Sequence, residues 1–397
     1  MKKDWEIKKL GDVCEIIGGT TPSTTNKSYW DGTEKWITPA EIDINKKYVY
    51  DSVRHITKEA VKACSLQLQP KGTVIFTSRA PIGKVAISEM EFYCNQGFKN
   101  FVCSERILNE YLYYFLIGNV DYLNSIGKGT TFKEISKTTV SQVEIPLPPL
   151  EEQKRIVKIL DEKFAQLETI KTNAQTNLQN AKDLLFAELT KTFSKETWSK
   201  MTLQDVCTRK ITDGTHQTPK YCTKEEGGYP FISSKDVTKE YIDWSNIKYI
   251  IPELHEELYK RIAPQKGDVL LAKNGTTGVA AIVEDDRIFD IYVTLAVLRP
   301  NQEIINSRYL LAIVNSPLCK KQFDAHLKGS GVPNLHLEEI QKIIIPVPPL
   351  NEQKELISKI EVLKEKIHSL QEIYTKQIAN CDELKQAYLQ KAFEGEL

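Results

Sequence analysis

Ten residues recur almost unchanged two hundred positions apart, and no other feature constrains the chain as strongly. Ile145 to Lys154 reads IPLPPLEEQK, and Ile345 to Lys354 reads IPVPPLNEQK; eight of the ten positions are identical. A repeat at fixed spacing points to duplicated structural units. Other pairs extend the match over both halves. Leu10-Gly11-Asp12-Val13-Cys14 resembles Leu203-Gln204-Asp205-Val206-Cys207, and Lys71-Gly72-Thr73-Val74 resembles Lys266-Gly267-Asp268-Val269. Lys128-Gly129-Thr130 resembles Lys328-Gly329-Ser330. The offset drifts upward along the chain, as expected for two related halves that differ by small loop insertions.

Each half has the same order: a mixed, turn-rich block, a Pro-rich punctuation, then a polar helix. The expected boundaries are 1–145 and 196–345 for the blocks, with helices over 146–195 and 346–397. Short apolar runs after Lys-Gly, such as Val74-Ile75-Phe76 and Val269-Leu270-Leu271, read as strands leaving a turn. Tyr111–Leu116 and Tyr309–Val314 are apolar all round and read as buried helices capped by Asn109 and Ser307, with strand as the alternative.

Pro146, Pro148 and Pro149 exclude a helix there; Leu150 followed by Glu151 and Glu152 then starts one. The same holds for Pro348, Pro349 and Leu350. Apolar residues then recur at 3-4 spacing. The expected seam runs Leu160, Lys163, Leu167, Ile170, Ala174, Asn177, Ala181, Leu184 in the first half. In the second it runs Ile360, Leu363, Ile367, Leu370, Tyr374, Gln377, Cys381, Leu384. About three and a half heptads in matching register predict a coiled coil, with Asn177 and Gln377 as a polar layer that fixes register. Helices of roughly 35–40 residues would be about 50–60 Å long. They pack most simply antiparallel, as a rod holding two globular domains apart; the alternatives are that each packs on its own domain, or that the coil is intermolecular. The expected fold class is therefore α+β: two similar mixed α/β domains separated by two long antiparallel coiled-coil helices, with an internal pseudo-two-fold repeat.

Composition narrows the function. The chain has 397 residues, 53 Lys+Arg against 53 Asp+Glu, and 41% hydrophobic residues. That is ordinary globular composition. No apolar run approaches the ~18–20 residues of a membrane span, and the start, MKKDWEIKKLGDV, lacks the apolar stretch of a signal peptide. The eight cysteines form no C-x-x-C and no zinc spacing, which predicts buried thiols in a reducing cytoplasm. Zero net charge argues against a lone nonspecific nucleic-acid binder, though not against local patches. No phosphate-binding loop, dinucleotide fingerprint, H-E-x-x-H or G-x-S-x-G occurs, so no catalytic or metal residue is assigned.

Four loops combine glycine, hydroxyls and isolated cations. They span 77–84 (Thr77, Ser78, Arg79, Lys84), 127–133 (Lys128, Thr130, Lys133), 272–278 (Lys273, Asn274, Thr276, Thr277) and 328–336 (Lys328, Ser330, Asn334). Backbone N–H groups, hydroxyls and Lys suit phosphates; Arg79 suits guanine, and Asn274 or Asn334 adenine. Solvated turns are the plain alternative. Trp5, Trp30, Trp36, Trp198 and Trp244 read as packing residues, and Gly18-Gly19-Thr20-Thr21-Pro22 as a turn that could line a groove.

The ordered set of marks resembles the DNA specificity subunit of type I restriction-modification systems over nearly the full chain. The marks are Leu10-Gly11-Asp12-Val13, Gly19-x-Thr21-Pro22, Tyr29-Trp30-x-Gly32, Trp36-Ile37-Thr38, Ala80-Pro81-Ile82-Gly83-Lys84, Asn95-Gln96-Gly97, the two I-P-[LV]-P-P-L-x-E-Q-K motifs and the terminal Ala392–Leu397. In the second half Gly275-Thr276-Thr277-Gly278-Val279 replaces the Ala-Pro-Ile-Gly-Lys run. The resemblance implies two target recognition domains, each reading one half of a split double-stranded DNA target. It implies a helical spacer, including Pro148, Pro149, Leu150, Leu160, Leu167, Ile170, Pro348, Pro349, Leu350, Ile360, Leu363, Ile367 and Leu370, that docks two methyltransferase (modification) subunits. Those would carry S-adenosylmethionine; separate restriction subunits would use ATP and Mg; the chain itself would bind no cofactor and catalyse nothing. A duplicated protein–protein scaffold without DNA contact is the competing reading.

Overall fold

The computed structural model describes residues 4–79, 81–129, 133–237, 241–327 and 334–397. Two compact units emerge, one built from 1–174 with 376–397 and the other from 175–375. Each long helix therefore begins in one unit and ends in the other.

Among the described residues the first unit holds two sheets and a separate two-stranded pair. Its larger sheet runs, in spatial order, Cys14–Gly18, Lys99–Cys103, Val74–Phe76, Val85–Ser88 and Tyr48–Val49. The first three pairings are antiparallel and the last is parallel. A smaller sheet orders Arg54–Ile56, Trp30–Ile37 and Tyr93–Cys94. The second unit repeats the plan. One sheet orders Thr212–Asp213, Leu295–Leu298, Val269–Ala272 and Ala280–Ile282; the other orders Tyr221–Cys222, Lys248–Ile250, Tyr229–Ile232 and Asp290–Ile291. The halves differ by an added edge strand each, Tyr48–Val49 in the first and Tyr221–Cys222 in the second. In both, the Pro-rich motif forms one strand of an isolated antiparallel pair, Glu144–Leu147 on Glu6–Lys9 and Ile344–Val347 on Ser199–Thr202. A two-stranded ribbon consists only of edges, so Pro146 and Pro346 are tolerated there.

The all-apolar runs are helices, Asn109–Gly118 and Ser307–Val314. Their caps lie one residue earlier than the sequence suggests. Leu108 takes the cap position without a side-chain bond, whereas the Asn306 side chain accepts from the backbone N–H groups of Arg308 and Tyr309. The phenolic hydroxyls of Tyr111 and Tyr309 donate to the carbonyls of Pro146 (2.8 Å) and Pro346 (3.0 Å). Each buried helix is thus bonded to its Pro-rich strand.

The long helices span Leu150–Phe193 (44 residues) and Leu350–Glu394 (45 residues), longer than the repeat pattern suggested. Within each unit they lie antiparallel. In the first unit Lys171 pairs with Asp382 at 2.6 Å and Lys385 with Glu168 at 3.0 Å; in the second Lys195 pairs with Glu352 at 2.7 Å. One seam track is as expected: Leu160, Leu167, Ala174 and Ala181 are buried, as are Ile360, Ile367 and Cys381, with Tyr374 half-buried. The second track is displaced by one residue. It runs through Phe164, Lys171, Leu178 and Leu185, and through Lys364, Gln371, Ile378 and Lys385, all half-buried. Ile170 (40% exposed), Leu184, Leu370 and Leu384 point outward, and Leu363 is half-buried. Asn177 and Gln377 are exposed and form no buried polar layer. The spacing from Leu160 opens with four residues, not three. Long Lys stems then cover the seam while their ammonium groups reach acids on the facing helix.

Each unit's core is closed by the far end of the other helix. Leu389 and Ala392 join Ile156, Val157 and Leu160 in the first core; Leu189 and Phe193 join Ile357 and Ile360 in the second. Among the described residues, no helix is long and apolar enough to cross a membrane.

Candidate nucleic-acid interface

The loops singled out as separate segments converge in pairs. In the first unit Arg79 and Lys128 both form isolated bridges to Glu134. The Ile135 N–H donates to the Ser78 carbonyl at 2.9 Å, joining 77–84 to the segment ending at 135. In the second unit Asn274 bridges to Asn334, and the Leu335 N–H donates to the Lys273 carbonyl at 2.7 Å. The two bonds occupy equivalent places in the two halves. A third strand end joins each pair, since the Ser78 N–H donates to Gly97 O (2.8 Å) and the Lys273 N–H to Thr294 O (2.9 Å).

In each unit a glycine from the Gly-Gly-Thr region packs tightly against a strand. A Cβ on Gly19 would stand 2.1 Å from the Cys94 carbonyl oxygen, and one on Gly214 would stand 2.0 Å from that of Ile291. Only glycine permits that approach of two backbones. Asp213-Gly214-Thr215 is therefore the counterpart of Gly18-Gly19-Thr20, at an offset two residues larger than that between Cys14 and Cys207.

The side chains sort by exposure. Arg79, Lys128, Lys133 and Thr276 are exposed; Lys84, Asn274, Thr277 and Asn334 are half-buried. Thr77 and Ser78 are fully buried, contrary to the expectation that their hydroxyls face a ligand. The Thr77 hydroxyl donates to Pro81 O and accepts from the Lys84 N–H; the Ser78 hydroxyl donates to Gly97 O. They shape the loop. The Lys84 ammonium donates to the carbonyls of Pro39 and Ile42, both at 3.0 Å, so it ties loops together. Lys273 is only 7% exposed and pairs with the buried Asp213 at 3.1 Å. Thr130, Lys328 and Ser330 lie outside the described residues.

The electrostatics differ between the halves. In the first, Glu134 accepts from Arg79 Nε (2.8 Å) and Lys99 Nζ (3.3 Å). Burial alone would raise its carboxyl, but these two cations outweigh burial and hold it below the usual range. In the second, Asp213 gathers Lys273, His216 (3.3 Å) and Arg261 (3.7 Å). The position equivalent to Glu134 is Asn334, whose Oδ1 is buried with no hydrogen-bond partner among the described residues. Elsewhere in this unit His255 Nδ1 lies 2.6 Å from Asp290 and its ring stacks on Tyr229. Burial pushes the Asp290 carboxyl up, against the pull of His255.

The repeated Pro-rich motif has a structural role that its sequence did not reveal. The Gln153 side chain is fully buried, accepts from the Leu108 N–H and donates to the carbonyls of Arg106 and Pro148. Gln353 does the same with Asn306, Ile304 and Pro348. Pro148 and Pro348 are buried, Pro149, Pro349 and Leu150 exposed, and Leu350 half-buried. The motif thus clamps each long helix onto the loop before the buried helix.

Two duplicated α/β units, each presenting paired polar loops and each clamped to a long helix, define a modular recognition protein. The model of the type I restriction modification DNA specificity domain matches residues 2–178 and again 195–377. The specificity subunit of the type I restriction enzyme MjaIX from Methanocaldococcus jannaschii is 33% identical over 418 residues, covering 100% of this chain and 94% of that one. Two solved structures share the fold at 21% identity. A chain from a study of complex assembly and conformational transition in the type I R-M system has a TM-score of 0.79, covering 100% of this chain and 99% of its own. The HsdS subunit from Thermoanaerobacter tengcongensis has a TM-score of 0.65 and covers 100% and 98%. The chain belongs to the family of type I restriction-modification DNA specificity subunits. It is a sequence-specific DNA-recognition subunit and not itself a catalyst.

Proposed function

We propose that each converged loop pair is the surface that reads one half of a bipartite double-stranded target. The observation that carries this is the equivalent joining of two distant loops in both units, by Ile135 N–H to Ser78 O and by Leu335 N–H to Lys273 O. In the first unit Arg79, Lys128 and Lys133 supply exposed cations; in the second Asn274, Thr276 and Asn334 supply amide and hydroxyl groups. Such groups suit phosphate contact and base-edge readout. Different groups at equivalent places would read different half-sites.

The long helices dock two methyltransferase subunits. Exposed apolar side chains on their outer faces support this, including Ile170, Phe186 (58%) and Ile373 (58%). S-adenosylmethionine belongs to those subunits, and ATP and Mg to the restriction subunits, with no cofactor on this chain. The complex works in the cytoplasm.

Base-modification sequencing of DNA from a methylation-free host, expressing this chain with its methyltransferase subunit, tests the reading. A bipartite motif with methyladenine in both halves is the expected outcome. A soluble assembled complex that leaves the DNA unmethylated and shows no salt-dependent DNA binding would favour the scaffold reading.

A further inference from the structure

Away from the loops, one pair of thiols is set face to face. Cys14 opens the strand Cys14–Gly18, Cys103 closes Lys99–Cys103, and the two are register partners in the antiparallel ladder. The alternation of hydrogen bonds decides what kind of pair they are. The Ser104 N–H donates to the Val13 carbonyl at 3.0 Å. Residues 13 and 104 are the next rung, so they occupy a hydrogen-bonded position. Cys14 and Cys103 therefore fall in the narrow, non-hydrogen-bonded position, where opposed Cα atoms are about 4.5 Å apart. A disulfide spans Cα separations of about 4.4–6.8 Å. The ladder register therefore holds the two cysteines within the range that a disulfide spans.

The two thiols differ in environment. Cys14 is buried and Cys103 half-buried, and both are free. The contact with Cys103, followed by burial, pushes the Cys14 thiol up. The more accessible Cys103 is thus the first to react, with Cys14 behind it as the resolving thiol. The second unit has no such pair, because Cys207, the counterpart of Cys14, bridges to Pro300.

We propose that Cys14 and Cys103 are a redox-sensitive dithiol that closes to a cross-strand disulfide on exposure to a low-molecular-weight disulfide such as glutathione disulfide. The Cys103 thiolate attacks one sulfur of glutathione disulfide, breaking that bond and releasing one glutathione. Cys14 gives its proton to solvent and attacks the Cys103 sulfur, expelling the second glutathione. The two protein thiols lose two electrons and two protons, and glutathione disulfide is reduced to two glutathiones. Oxidation then staples the first unit alone. It ties the turn Leu10–Val13 to the strand that carries Lys99, one of the two cations on Glu134.

The test uses the full-length chain under native conditions. It is incubated with glutathione disulfide, unfolded, alkylated with N-ethylmaleimide and peptide-mapped. The alkylated thiols fall from eight to six, and a peptide joins Cys14 to Cys103. Dithiothreitol restores all eight, a control that needs no variant. Cys14→Ser carries a glutathione adduct on Cys103 in place of the cross-link. Retention of eight thiols, loss of a different pair, or a lasting adduct on wild-type Cys103 would each overturn the proposal.

Discussion

Gln153 and Gln353 show how much a single side chain can organise. Each satisfies one backbone donor and two backbone acceptors at the joint between helix and globular unit. Truncation leaves those groups buried and unpaired, at about 1–3 kcal/mol for such a loss. Gln153→Ala should therefore lower stability by about 3 kcal/mol, read as a lower urea midpoint at unchanged slope. Glu134 makes a pH prediction. Its carboxyl sits below the ordinary value of 4.5 in the folded protein, so its contribution is fully present above pH 4.5. That contribution is lost as the pH falls through 4.5 towards the lower folded value. The pair is partly exposed, so the effect stays within about 1 kcal/mol. Melting temperatures of the wild-type chain and Glu134→Gln should differ at pH 7 and converge in acid. A gap as wide in acid as at pH 7 would show that Glu134 acts through packing rather than charge.

At the scale of the element, the helix seam separates what periodicity shows from what it leaves open. A 3-4 pattern identifies a stripe, and its heptad track of Leu160, Leu167, Ala174 and Ala181 is buried as expected. The companion track could start three or four residues on. With Lys and Gln scattered through both options, polarity alone did not choose between them. Packing chose Phe164, whose ring meets Tyr114 at 5.4 Å, and Lys171, which reaches Asp382. Leu167→Ala should cost about 2–4 kcal/mol by leaving a cavity, while Ile170→Ala should change stability by less than about 0.5 kcal/mol. Thermal melts of the two variants check the register directly; equal losses would restore the displaced seam.

At the scale of the whole molecule, duplication makes the specificity separable. Both units repeat the same sheets and the same loop junctions, but their polar groups differ, Glu134 with two cations against Asn334 beside Asn274. Replacing residues 196–345 with the corresponding block of another family member should change one half of the methylated motif and leave the other intact. Methylome sequencing reads this, and a change in both halves or in neither would count against independent readers.

The amino-acid order by itself established the repeat, the two long helices, the buried helical runs and the absence of familiar catalytic motifs. These are local or periodic properties, written wherever proline, glycine and apolar spacing leave the backbone few choices. Tertiary structure decided which loops meet. Segments 77–84 and 127–134 are some fifty residues apart in sequence, and no periodicity says that Arg79 and Lys128 share Glu134. It also decided that Thr77, Ser78 and Lys273 face inward, and that each core is closed by the end of the other long helix. Burial and pairing across such distances depend on the summed packing of many weak contacts, which no short stretch of sequence carries alone.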